Sequence, residues 1–295
     1  MKIATSCVCC GSNDLKKSPS VLMPFIAHRI FDIAPVEITD DWDVGRYGIK
    51  NGMAYARCNS VCCSNCLHTF LDMRFDDDEL NLLYDNYREE EYINLRDHYE
   101  PGYKQKNEHL NEGYNYLKET EDFISPHLNT DTFTLLDWGG DTGKNTPFNT
   151  SCKVFHIYDI SERPVMDGAI RVDKQDIENR TYDLLICLNV LEHVSFPSEI
   201  LRDIFHHMHD QSVLCIEVPY ENSVREGQNT GTLDTVYKNK RYWHEHINFF
   251  NDKSMTELLL TSGFDVLQLR KLKISGETAS HVLQVVCKTS CKHYG

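Results

Sequence analysis

Nowhere in its 295 residues does the chain carry the run of about 20 apolar residues that a membrane span needs. Positive charge is also short. Thirty Lys and Arg stand against 45 Asp and Glu, for a formal net charge of −15. The average field therefore repels nucleic-acid phosphates, although a local Arg or Lys cluster can still hold an anionic small molecule. The opening residues, MKIATSCVCCGS, lack the apolar core of a secretory signal, which predicts a cytoplasmic protein. Internal repeats and low-complexity linkers are missing too. With 41% hydrophobic residues, the composition is that of an ordinary globular chain, long enough for one large domain and a smaller one.

Cysteine, by contrast, is plentiful and unevenly spread. Seven of the twelve fall in the first 66 residues: Cys7, Cys9, Cys10, Cys58, Cys62, Cys63 and Cys66. In a reducing compartment such clustering points to a metal rather than to disulfides. Cys7 with Cys10, and Cys63 with Cys66, form two C-x-x-C pairs that can offer four thiolates to a tetrahedral zinc. A four-thiolate shell is closed, so this zinc would be structural and would supply folding free energy to a small module. Cys58 and Cys62 offer a competing register and Cys9 reads as a bystander. A metal-free thiol cluster is the plain alternative.

Residues 1–75 read as this cysteine-rich module, 76–128 as a helical connector or lid, and 129–295 as an α/β domain. From Asp76 to about Leu128 the pattern is helical and charged, and EPGY at Glu100–Tyr103 breaks it, as Pro and Gly should. Beyond Asn129 short apolar runs alternate with helical stretches. FTLLDW, KVFHIYD, AIRV, YDLLICLNVL and SVLCIEVP come first, then a closing pair, FDVLQLRKLKI and SHVLQVVCK. Such runs, separated by helices, predict a doubly wound, mostly parallel sheet covered on both faces, with the last pair as an antiparallel edge. Seven strands are expected. His206, His207 and His209 read as a solvated helix face.

In such sheets ligands sit beyond the carboxyl ends of the strands, near the first strand. LLDWGGDTG, Leu135 to Gly143, lies there. Asp159 ends the second strand 22 residues after Asp137 and can accept both hydroxyls of a ribose. The glycine spacing disfavours a dinucleotide. Counting from Gly139, the third position is Asp141, a carboxylate where the backbone would have to meet a pyrophosphate. Near an ammonium the same carboxylate is favourable, and S-adenosylmethionine has a ribose, an ammonium and no phosphate. Asp also tolerates a left-handed backbone. An ordinary strand-to-helix turn is the plain alternative.

From Leu135 to Lys288 the chain resembles the class I S-adenosylmethionine-dependent methyltransferases, which implies a Rossmann-like seven-stranded sheet. The family's acid-x-Gly-x-Gly-x-Gly loop is matched by Asp137, Gly139 and Gly143, with Gly140 between them and Asp141 replacing the middle glycine. The ribose-binding acid maps to Asp159, followed by Ile160. YDLLICLNVLEHV is similar to the family's fourth-strand motif, with Asn189 at the strand end and Glu192–His193 beginning the next helix. The resemblance thus implies a donor site of Asp137, Gly139, Gly140, Asp141, Gly143, Asp159, Ile160, Asn189 and Glu192.

A zinc module ahead of such a domain is similar to the sugar C-methyltransferases, which act on nucleotide-linked keto-deoxysugars in bacterial polysaccharide and antibiotic pathways. Those carry an aromatic-x-Glu-His segment and two aromatics after the fifth strand, and WHEHINFF, Trp243 to Phe250, stands there in this chain. By that resemblance Glu245 and His246 are the proton-transfer pair, with His244 a further candidate. A carbon or hydroxyl nucleophile must lose a proton, and a carboxylate-oriented His can take it. That these groups only pack is the alternative. The implied partner is a sugar or nucleotide-linked sugar, methylated on carbon or oxygen, rather than nucleic acid or membrane. Five tyrosines between Tyr84 and Tyr103, interleaved with Arg88 and Arg96, form either a lid that stacks on a ligand and pairs with a phosphate, or a pin between domains. A different class remains open as well: a zinc-bearing scaffold whose methyltransferase fold no longer turns over.

Overall fold

The computed structural model describes residues 1–37, 53–54, 56–161, 163–274 and 280–290; residues 38–52 and 55 of the expected cysteine module lie outside them. β1 (Lys2–Ile3) pairs antiparallel with β7 (Met73–Arg74). Between them, β2 (Leu15–Leu22), β5 (Arg57–Cys63) and β6 (Thr69–Leu71) form an antiparallel meander. Helix α1 (Pro24–Phe31) follows β2, and a ribbon of β3 (Val36–Glu37) with β4 (Met53–Ala54) precedes β5. The edges of the meander are closed from far along the chain. β13 (Tyr242–Trp243) pairs with β2, and β14 (Asn248–Phe249) pairs with β6.

The connector is helical, as expected: α2 (Asp77–Tyr84), α3 (Glu90–Tyr99), α4 (Tyr103–Glu112) and α5 (Leu117–Ile124). α2 opens on a capping box. The Asp76 carboxylate accepts the Glu79 N–H at 3.1 Å, and the Glu79 carboxylate accepts that of Asp76 at 3.0 Å. Pro101 and Gly102 separate α3 from α4, with Gly102 at a φ of 95° that suits only glycine well.

The large sheet has the expected seven strands: β8 (Thr134–Trp138), β9 (Val154–Tyr158), β10 (Ala169–Arg171), β11 (Tyr182–Leu188), β12 (Met208–Pro219), β15 (Phe264–Ile274) and β16 (Ser280–Thr289). Their order is β10-β9-β8-β11-β12-β16-β15. The first five are parallel, and β16 pairs antiparallel with both β12 and β15. Both faces of the central strands β8, β11 and β12 are buried, which is why these read as continuous apolar runs. Leu136, Leu185 and Leu214 join a core that also holds Phe25 of α1, Leu71 of β6 and Trp243 of β13, whereas Leu135, Leu184 and Val213 pack on the opposite face.

Two expectations about helices need correction. Among the described residues, the connections β8–β9 and β9–β10 carry turns rather than α-helices. Pro147, Asn145, Asn149 and Thr150 in the first, and Pro164 in the second, favour turns over helix. The helices of this half are α6 (Lys174–Ile177), α7 (Pro197–His206), α8 (Asn222–Thr230), α9 (Val236–Asn239) and α10 (Asp252–Thr261). The histidine run is not one solvated face either. His206 is exposed, but His207 is buried against Trp138 and donates to the Arg180 carbonyl at 3.1 Å, while His209 lies in β12. Among the described residues no helix is long and apolar enough to cross a membrane.

Candidate active site

β8 lies between β9 and β11, so the connections leaving β8 and β11 splay to opposite sides and open a crevice at their carboxyl ends. A cleft of about 510 Å³ fills that position, within the usual range for small-molecule sites. Its floor is Asp137, Trp138, Gly139, Gly140 and Asp141, with Asp159 and Ile160 from the end of β9 and Asn189 from the end of β11. Tyr84, Tyr87 and Arg88 of the connector form the facing wall, and His193 and Val194 one end.

The loop geometry explains the glycines. A Cβ on Gly139 would lie 2.3 Å from Val190 Cγ2, and one on Gly140 2.6 Å from the Asp137 carboxyl carbon. Gly143 is outside the lining; it has a φ of 79°, and a Cβ there would meet Ile157 Cδ1 at 2.5 Å. Asp141 and Asn189 also hold left-handed backbones, φ 50° and 55°, of the kind that recurs at ligand sites.

Burial pushes the Asp137 carboxyl up to about 7, even though Thr146 donates to it at 2.5 Å. Asp159 accepts the backbone N–H groups of Asp141 at 2.8 Å and Ser161 at 2.6 Å, one on each oxygen. That fixes its orientation and leaves each oxygen a further lone pair. Asp141 is differently placed from its expected role facing an ammonium. Its carboxylate pairs with Arg163 at 2.6 Å and Arg88 at 3.3 Å.

Arg88 is thus spent on a carboxylate, and so is Arg96, which leaves neither as the expected phosphate partner. The tyrosines divide between the two readings offered. Tyr84 and Tyr87 line the cleft, whereas Tyr92 and Tyr103 are buried, with Tyr92 edge-on to Phe25 and Arg96 over the Tyr103 ring at 4.0 Å.

Glu192 does not line the cleft, nor does it begin a helix. The chain turns at Asn189, and Glu192 and His193 sit in the turn before α7. The Glu192 carbonyl accepts Ile247 N–H at 2.8 Å, and its side chain points inward, 2% exposed, beside His193 and His246. Burial pushes its carboxyl up to about 8. Burial also holds His193 down at about 4.

None of the WHEHINFF residues lines the cleft; the segment, held by its two short strands, lies behind His193. Burial opposes the charge of Glu245, but Arg96 outweighs it and holds the carboxyl at about 2. His246 Nδ1 lies 3.0 Å from Glu221 Oε1, and its ring meets that of His193 at 4.8 Å. Burial works against a charged His246, yet the Glu221 hydrogen bond and the Glu192 and Glu245 carboxylates keep it above its ordinary value. His244 faces outward and pairs with Glu100 at 2.9 Å. Glu221, His193 and Trp138 were not among the expected residues. Glu221 follows β12 by two residues, at the strand-end position where ligands gather, which is the signal that marks it.

Comparison with known proteins completes the picture. A family model described as a methyltransferase domain matches residues 84–269. The chain belongs to that methyltransferase family. Similar solved structures include an S-adenosylmethionine-dependent methyltransferase of Clostridium acetobutylicum, with 11% identity, 59% of this chain and 91% of that one covered, and a TM-score of 0.43. The magnesium protoporphyrin IX methyltransferase of Synechocystis, with S-adenosylhomocysteine bound, shares 16% identity over 58% of this chain and 81% of its own, with a TM-score of 0.40. A methyltransferase of Methanosarcina mazei shares 11% over 57% and 97%, with a TM-score of 0.43. No curated protein matches.

Away from the cleft, the four expected thiols converge. Cys7 and Cys66 Sγ lie 3.5 Å apart, Cys10 and Cys63 Sγ 3.6 Å, and all four within 4.8 Å of one another. Cys58 instead faces Ser20 at 3.2 Å and Cys62 its neighbour's carbonyl, and burial pushes both thiols up to about 11.

Proposed function

We propose that this methyltransferase uses S-adenosylmethionine to methylate a small-molecule acceptor, a sugar or nucleotide-linked sugar, on carbon or oxygen. The observation that carries this reading is the cleft itself. Carboxylates at the tips of two adjacent strands line its floor, and a histidine–carboxylate cluster lies at His193, at one end. When bound, the sulfonium donor supplies an activated methyl group for in-line displacement.

The chain's own groups then divide the work. Asp159, with its free lone pairs, holds the ribose hydroxyls, and Ile160, 63% exposed, covers the nucleoside. Asp137 faces the methionine ammonium, a part Asp141 has surrendered to two arginines. Gly139, Gly140 and Asn189 let the backbone come close. At the other end His246 takes the acceptor's proton, steadied by Glu221, and His193 with Tyr84 positions the acceptor; His193 Nδ1 lies 3.1 Å from the Tyr84 hydroxyl. Glu245, tied to Arg96, holds the loop rather than carrying the proton.

Residues 1–75 are the zinc-binding module of this reading. Thiolates about 2.3 Å from a tetrahedral zinc lie roughly 3.8 Å apart, which suits the spacings of Cys7, Cys10, Cys63 and Cys66. The zinc they would hold is structural. Incubation of the full chain with labelled donor and a panel of nucleotide-sugars, followed by mass spectrometry, is expected to find a methylated sugar. Absence of donor binding at high micromolar concentration would leave only a scaffold protein.

A further inference from the structure

Glu192 is an anomaly among the acidic side chains. It is 2% exposed, yet neither carboxyl oxygen accepts a hydrogen bond from another residue. An isolated buried carboxylate is costly, and so is an isolated buried carboxyl without partners. Its neighbours are two imidazoles that are themselves oriented. His193 donates from Nδ1 to the Glu245 carbonyl at 3.2 Å, and His246 from Nδ1 to Glu221 at 3.0 Å. Both rings are held through Nδ1, with the Tyr84 hydroxyl also 3.1 Å from His193 Nδ1, so Nε2 is the atom each can offer a ligand, and His193 Nε2 lies 3.7 Å from Glu192 Oε1. One ligand atom from each of Glu192, His193 and His246 falls within 4.8 Å of the other two. Three ligand atoms that converge in this way can hold one cation in place of any protons they carry.

We propose that Glu192, His193 and His246 form a site for a first-row divalent metal cation. Two imidazoles and one carboxylate, with the remaining positions open, suit manganese, iron, cobalt or zinc. Ligands about 2.1 Å from such an ion lie roughly 3 to 3.5 Å apart, so the measured 3.7 Å closes by a few tenths of an ångström on binding. The outer contacts are those that metal-binding histidines use: a carboxylate behind His246 and a carbonyl behind His193. This site is separate from the four cysteines and differs from them in kind, with nitrogen and oxygen donors in place of sulfur.

The consequence for transfer rests on the reading of the cleft given above, though the binding itself does not. His193 lines the cleft, so an acceptor oxygen that reaches it can complete the metal's coordination, and its proton is then held less tightly. His246 in that state is a ligand, and the metal takes over its influence on the proton.

Manganese separates the two metal sites, because it prefers nitrogen and oxygen to thiolates. The full chain is titrated with Mn²⁺ and followed by electron paramagnetic resonance, without donor or acceptor. One bound equivalent is expected. Glu192→Gln and His246→Ala should each weaken it by about 100-fold, and Glu221→Gln, which touches only the outer contact, by about 10-fold. Each variant is checked for an unchanged melting curve and for donor affinity. No Mn²⁺ bound to the folded wild-type chain, or the same affinity in folded Glu192→Gln, overturns the proposal. Donor binding without Mn²⁺ binding removes the metal site alone; Mn²⁺ binding without donor binding removes the transfer reading and leaves the metal site standing.

Discussion

Arg96 grips Glu245 with two nitrogens, at 2.8 and 2.5 Å, across 149 residues of sequence. The guanidinium is 4% exposed, and its third nitrogen reaches Glu100 at 3.0 Å. This pair fastens the connector helix α3 to the segment between β13 and β14, on the side where that segment presents His246.

Glu245→Gln should therefore destabilise the fold by about 1.5–3 kcal/mol, because it leaves the buried guanidinium with Glu100 as its one remaining carboxylate. The acid limb of stability follows the same pair. A carboxyl lowered from 4.5 to about 2 contributes stability above its free value and loses it as pH falls from about 4.5 towards 2. Urea denaturation of both proteins at pH 7 and pH 3 measures this. The difference between them should shrink at the lower pH, and an equal difference at both would remove the ion pair from the account.

Asp137 makes donor affinity depend on pH in the opposite region. Its carboxyl is raised from 3.8 to about 7, so it is mostly neutral at pH 6 and mostly charged at pH 8. If the charged form meets the methionine ammonium, affinity rises about tenfold between these values. Isothermal titration with S-adenosylmethionine should show the rise in the wild-type chain and a flat profile in Asp137→Asn.

His246→Ala should lower turnover by about 10²- to 10⁴-fold while leaving the donor dissociation constant unchanged. The ring stands with Glu221 and His193 and does not line the cleft as Asp137 and Asp159 do, so only the acceptor half of the reaction should feel its loss. A variant with wild-type turnover would clear His246 of any part in the chemistry.

Cys63→Ser should release one equivalent of zinc and destabilise the chain by about 3 kcal/mol or more, a fall in Tm of roughly 6–12 °C. Turnover should fall with it, because β6 carries β14 and so the end of the His246 segment. Metal analysis beside a melting curve is sufficient, and retained zinc at full stoichiometry would refute the four-cysteine assignment.

The seven-stranded sheet was legible because both faces of strands such as β11 and β12 are buried, which writes Val, Ile, Leu and Cys in unbroken runs. The connector was legible from its charged helical pattern and from Pro101 and Gly102. The cysteine pairs announced themselves by spacing. What stayed hidden was pairing at a distance. Nothing local marks Arg96 as the partner of Glu245, or Asp141 as the partner of Arg88 and Arg163, since ion pairs between remote segments leave no period behind. The inward turn of Glu192 was hidden for another reason. It depends on the left-handed backbone at Asn189, and the apolar residues around it read equally well as the first turn of a helix.

The first meander takes both of its outer strands from residues 242–249, so on the ribosome its inner strands emerge long before their partners do. Until then β2 and β6 expose unpaired edges, and four thiols holding zinc would clasp the young chain across its inner strands. A circular permutant that begins after the second meander contact, near residue 251, would give the growing chain a different order of assembly with the same final contacts.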